Sequence, residues 1–206
     1  MRDQTMAKYL DELAERVPAP GGGAAAALHA AQGAALVAMV ARYTDGAKHA
    51  EHAATVARVL DRAEQLRQQA LRLVEDDAAA FGAVAEAYRL PRSDERQKTA
   101  RSAALAAALS AAARPPAEVI VSAYRIVTLA EELLPIGNRN VLTDVAAAAD
   151  AARAAATTAR VNVEINLKGM RDETECERLR GVVDTVGAVV ERADAVSAAV
   201  RAEILR

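Results

Sequence analysis

The chain has no tryptophan, one phenylalanine and four tyrosines in 206 residues. A core cannot be built from rings, so Ala, Leu and Val must fill it, and helices with such small side chains can approach closely. One cysteine, Cys176, excludes an intramolecular disulfide framework and fits a reducing compartment. Its neighbours Glu175 and Glu177 disfavour a thiolate. Neither sign of charge dominates: 26 basic against 28 acidic residues give a net −2, which does not point to a nucleic-acid partner. Three histidines and one cysteine make a poor zinc set; His49 and His52 could share a helix face, but no third ligand is evident. The N-terminal MRDQTMAKYLDEL lacks the apolar core of a signal peptide. No uncharged apolar run has spanning length with membrane flanks. Gly21 to Ala41 comes nearest, but it is Ala/Gly-rich and contains His29 and Gln32. A cytoplasmic protein without a membrane partner is expected.

What remains is helix-forming sequence, enough for a single domain over 1–206. The fold class expected is all-α, a multihelical bundle of long antiparallel helices. A short amphipathic helix is predicted over 2–16, with Met6, Leu10 and Leu13 on one side. Val17-Pro18-Ala19-Pro20 stops it, and Gly21-Gly22-Gly23 opens an Ala-rich helix from Ala24 to about Tyr43, apolar nearly all round and so central. After Thr44-Asp45-Gly46 a long helix runs from about Glu51 to Leu90. Ser93-Asp94-Glu95 starts the next, which is expected to end near Ala113; Pro115-Pro116 then open another, to about Leu134. Pro135-Ile136-Gly137-Asn138 is a sharp break, and Thr143-Asp144 begins a further helix. The stretch Val161 to Leu167 alternates as a strand would, yet a lone strand has no partner here, so helix is the better reading. Asp172 with Glu175 caps a last helix running to about Ile204.

Within the long helix, Val59, Ala63, Leu66, Ala70, Leu73, Phe81, Val84 and Tyr88 recur at steps of four and three, the spacing of a helix packed along one seam. Asp77 falls on that seam, four after Leu73 and four before Phe81, whereas Glu75 and Asp76 fall off it. A carboxylate there destabilises the fold unless something pairs with it. Either an arginine locks it as a structural ion pair, or it does chemistry; spacing alone leaves both open. Other polar groups stand out. The glycine triplet at a helix start leaves N–H groups uncovered. Asn162 and Asn166 share a face four residues apart, as helix-to-helix hydrogen bonds or ligand contacts.

Taken in order, these segments resemble the cyclodeaminase/cyclohydrolase family: the C-terminal domain of formiminotransferase-cyclodeaminase and its free-standing relative, methenyltetrahydrofolate cyclohydrolase. The resemblance spans nearly the whole chain. It rests on Pro18 to Gly23, Gly33 to Val40, Thr44-Asp45-Gly46, Leu73 to Asp77 with Phe81, Leu90-Pro91, Gly137-Asn138, Thr143-Asp144 and Val161 to Leu167. It implies an all-helical homodimer acting on a tetrahydrofolate derivative, with no metal or redox cofactor. It makes Asp77 the catalytic group and Gly21, Gly22, Gly23, Asn138, Asp144, Asn162 and Asn166 pocket residues. Lys48 becomes a candidate to hold the folate glutamate tail. One departure is Ala24, where a serine usually follows the glycines.

The reaction implied is hydrolysis of methenyltetrahydrofolate to formyltetrahydrofolate, with Asp77 as general acid and base. The alternatives are the ammonia-releasing cyclodeaminase reaction on formiminotetrahydrofolate, or a non-catalytic folate-binding or oligomerisation module. The cyclohydrolase is preferred because this chain carries no formiminotransferase domain, although a separate formiminotransferase could partner it.

Overall fold

The computed structural model describes residues 3–206, and all regular structure there is helical. Seven α-helices form: α1 (Met6–Ala14), α2 (Gly22–Tyr43), α3 (Ala53–Arg89), α4 (Glu95–Leu133), α5 (Leu142–Leu167), α6 (Glu173–Asp184) and α7 (Val186–Ile204). Short 3₁₀ turns cover Ala47–His52 and Arg139–Val141. Thr5, Asp94 and Asp172 cap α1, α4 and α6, each side chain accepting a backbone N–H three residues on.

The Ala-rich α2 is the central helix and packs on α3, α4 and α5. Its Ala27, Ala30, Ala34 and Ala38 are sealed from solvent, and one apolar core continues from them into every other helix. A Cβ at Gly33 would meet the Ala148 carbonyl at 3.0 Å and the Ile126 side chain at 3.3 Å, so glycine there lets α2 sit against α4 and α5. The long helices run antiparallel. Arg42 at the end of α2 bonds Glu64 of α3, while Gly23 at its start faces Asp77. Along α3 and α4, Arg58 pairs with Glu132 and Gln69 with Glu118. Both α2 and α4 are long and apolar enough to cross a membrane, against the expectation from the sequence; for α2, 61% of that stretch is buried within the protein.

Several boundaries differ from expectation. The first helix starts at Met6, and the part predicted for residue 2 lies outside the described residues. Met6 and Leu10 are exposed; Tyr9 turns inward instead, against Leu28, Leu71 and Val74. The seam of α3 is buried through Leu73, but Phe81 and Tyr88 are exposed while Val84 and Ala87 are covered. The reason is that α2 begins at Gly22, opposite Asp77, so the rest of α3 has only α4 to pack on. Pro115 and Pro116 do not separate two helices; both lie buried within the single 39-residue α4. The C-terminal helix is divided at Thr185, whose hydroxyl and N–H both bond the Val182 carbonyl and tighten the turn. The alternating 161–167 stretch is helical, the last two turns of α5.

Candidate active site

The first turn of α2 lies against the side of α3 at Asp77. The Ala24 N–H, one of the donors a helix start leaves free, donates to the Asp77 carboxylate. That approach requires glycine before it: a Cβ on Gly23 would fall 2.0 Å from Asp77 Oδ1. Burial pushes the Asp77 carboxyl up from 3.8 to about 6, and the Ala24 N–H acts the other way but does not prevail. Among the described residues no Lys, Arg or His forms an ion pair with it. The departure at Ala24 is thereby placed: its side chain is sealed in the core at 0% exposure, and what it offers Asp77 is its N–H.

Helix α5 supplies the opposite polar wall. Asn162 Nδ2 donates to the Thr158 carbonyl (2.9 Å), and Asn166 Nδ2 to the Asn162 carbonyl (2.7 Å). The Asn162 side chain also lies within 3.5 Å of where a Gly22 Cβ would be. Gly21, Gly22, Gly23, Asp77, Asn162 and Asn166 thus surround one crevice of about 160 Å³, completed by Pro18, Ala19 and Ala112. Phe81 and Ile165, 48% and 59% exposed, form its apolar rim. Sites that enclose a drug-sized ligand run to ~300–1,000 Å³. A larger ligand must therefore put one ring system inside and leave its remainder over the rim.

Three other candidates are not brought to this crevice. Asn138 is at the far end of α2, whose 22 residues span about 33 Å at ~1.5 Å each. Its amide is spent on the fold: Nδ2 donates to the Tyr43 carbonyl (2.7 Å), and Oδ1 accepts from the Asn140 N–H (3.0 Å). Lys48 is exposed on the 3₁₀ turn after α2, and Asp144 lies in the first turn of α5, where a carboxylate complements the helix dipole.

Tyr9 was not singled out from the sequence. Its hydroxyl is buried without a hydrogen-bond partner among the described residues, and burial followed by the Asp77 charge raises its pKa. The signal available was the four-residue spacing of Tyr9 and Leu13, which places Tyr9 at the edge of the predicted stripe of Met6, Leu10 and Leu13. A larger groove of about 520 Å³ between α3 and α4, around Arg58, Arg62, Tyr124 and Arg125, contains no carboxylate suited to proton transfer.

Residues 5–185 match the family model described as formiminotransferase-cyclodeaminase. The chain belongs to that family. It is 38% identical over 195 residues to a methenyltetrahydrofolate cyclohydrolase of Methylorubrum extorquens, covering 92% of this chain and 94% of that one. It is 34% identical to the mouse formimidoyltransferase-cyclodeaminase over 85% of this chain, which corresponds to 33% of that longer protein. The crystal structure of a formiminotetrahydrofolate cyclodeaminase from Thermotoga maritima superposes with a TM-score of 0.86, at 29% identity and over 98% of both chains. The all-helical architecture is therefore the family's.

Proposed function

We propose that this protein hydrolyses methenyltetrahydrofolate to formyltetrahydrofolate, with Asp77 as the general acid and base. The observation that carries the reading is a half-buried carboxylate, shifted to about 6, open to a crevice and held by no cation among the described residues. The substrate carries a cationic carbon between two nitrogens. Ionised Asp77 stabilises that charge and takes a proton as water adds to the carbon. The same proton passes to the departing nitrogen, the C–N bond breaks, and the hydroxyl of the adduct releases its remaining proton to water as the formyl C=O forms. A pKa near neutrality suits both transfers, and such assistance is typically worth about 10²–10⁴ in rate. Gly21, Gly22 and Gly23 bring the backbone close, and Asn162 and Asn166 offer polar contacts to the ring system. The folate is the substrate, and the reading invokes no further cofactor.

The overall match to the Thermotoga maritima cyclodeaminase favours a second reading, release of ammonia from formiminotetrahydrofolate, in which Asp77 would protonate the leaving nitrogen. Methenyl absorbance separates the two. Enzyme-dependent loss from methenyltetrahydrofolate is expected; a gain from formiminotetrahydrofolate with no loss in the first assay would favour deamination, and neither change would reject both. Apolar Phe81, Tyr88, Val161 and Ile165 left in solvent support a homodimer, which sedimentation velocity would test. The single buried Cys176 is consistent with a cytoplasmic setting.

A further inference from the structure

Helix α4 runs through Pro115 and Pro116 without ending. A proline has no N–H, so the carbonyls four residues back, those of Ala111 and Ala112, lose their helical donors. Ala111 is exposed and water can serve it. Ala112 is 6% exposed and lines the Asp77 crevice, so its carbonyl needs a protein donor. Asn166 Nδ2 supplies one from α5 at 3.4 Å, while also bonding the Asn162 carbonyl at 2.7 Å. An amide nitrogen has two hydrogens, and both are now committed. The Asn162 Nδ2 is likewise directed to its own helix, at the Thr158 carbonyl. Among the described residues no protein group donates to either amide oxygen, and neither oxygen is sealed from solvent without a partner.

We propose that Pro116 is a positioning residue for the site. By withholding the Ala112 donor, it holds the Asn166 amide with nitrogen toward the helices and oxygen toward the crevice. Asn162 and Asn166 then present two acceptors near Asp77, a wall that selects a ligand edge rich in N–H donors. That selectivity rests on the crevice being the reduced-folate site, whose amino-pyrimidine edge has such donors; the orientation of Asn166 does not.

Pro115→Ala is the internal control, since it restores an N–H whose acceptor belongs to the exposed Ala111. Pro116→Ala restores the bond to Ala112 and releases one Asn166 hydrogen. Both variants should melt at or above the wild-type temperature, because each removes a proline from a helix interior. The Asn166 side-chain amide resonances should shift in Pro116→Ala and stay in place in Pro115→Ala. The KM for methenyltetrahydrofolate should rise about tenfold in Pro116→Ala with kcat changed less, the size of one lost hydrogen bond, and stay within about twofold in Pro115→Ala. On an Asn166→Ala background, Pro116→Ala should have no further effect on KM, since it acts through that side chain. Unmoved Asn166 resonances in Pro116→Ala overturn the positioning role, whether or not the protein turns over methenyltetrahydrofolate. Shifted resonances with an unchanged KM overturn the selectivity. A wild-type protein that neither binds nor hydrolyses reduced folates defeats the functional reading and the selectivity with it, and leaves the resonance test of Pro116 standing.

Discussion

Gly23 and Asp77 touch across the α2–α3 interface so closely that a single added carbon at residue 23 would overlap the carboxylate, 2.0 Å from Oδ1 and 2.5 Å from Cγ. The carboxylate would have to move aside, and its present position is the one in which it accepts from the Ala24 N–H. Gly23→Ala should therefore remove the hydrogen bond that orients the carboxylate. Misplacing a reacting group by ~1 Å can lower a rate about 10²-fold, and a loss of that order in kcat is expected. The unfolding free energy should fall by about 1–3 kcal/mol, the usual range for overpacking. Steady-state kinetics with a thermal melt checks both, and full activity would mean that the contact is not needed.

The pH dependence of turnover has a defined sign. To take a proton from water Asp77 must be ionised, and its carboxyl is pushed up to about 6. After subtraction of the uncatalysed reaction, kcat/KM should rise about tenfold per pH unit below 6 and level off above it. A limb centred near 4 would place the proton transfer on an ordinary, solvated carboxylate.

Stability should move the other way. Asp77 binds its proton more tightly folded (about 6) than unfolded (3.8), so between these values the folded state holds more protons. This contribution favours the fold below pH 4 and is lost as pH rises through 6. The gap corresponds to a ceiling of about 3 kcal/mol, which solvent around a half-buried carboxylate reduces to about 1–2 kcal/mol. Urea titrations at pH 4.5 and 8 should show this trend in the wild type and lose it in Asp77→Asn.

Tyr9 offers a test without chemistry. Its hydroxyl is buried and unpartnered among the described residues, a state that typically costs about 1–3 kcal/mol. Tyr9→Phe keeps the ring between Leu28, Leu71 and Val74 and should raise the unfolding free energy by about 1 kcal/mol. A loss of stability would show that the hydroxyl has a partner in solution.

The all-helical class was legible because it depends on composition and on breaks that neighbouring residues determine. Asp77 stood out for the same reason: Val59 to Leu73 set a seam, and a carboxylate was placed on it. The misread parts depend on groups distant in the chain. Pro115-Pro116 reads as a boundary until Asn166, 54 residues from Ala112, supplies the donor that the broken ladder lacks there. Phe81 and Tyr88 continue the α3 spacing, yet whether they are covered depends on where α2 starts. Asn138 and Asn162 look alike in sequence. One is spent on two backbone groups at a turn, and the other bonds within its own helix and lines the crevice.

Whether one aspartate performs the hydrolysis is tested most directly by Asp77→Asn. The amide keeps an oxygen for the Ala24 N–H and the shape of the side chain, so the fold should survive at pH 8. Methenyltetrahydrofolate absorbance should then decay no faster than in buffer alone, while the wild type accelerates it. A folded Asp77→Asn protein that clears the substrate as fast as the wild type would contradict this, and the proton transfer would belong to another group.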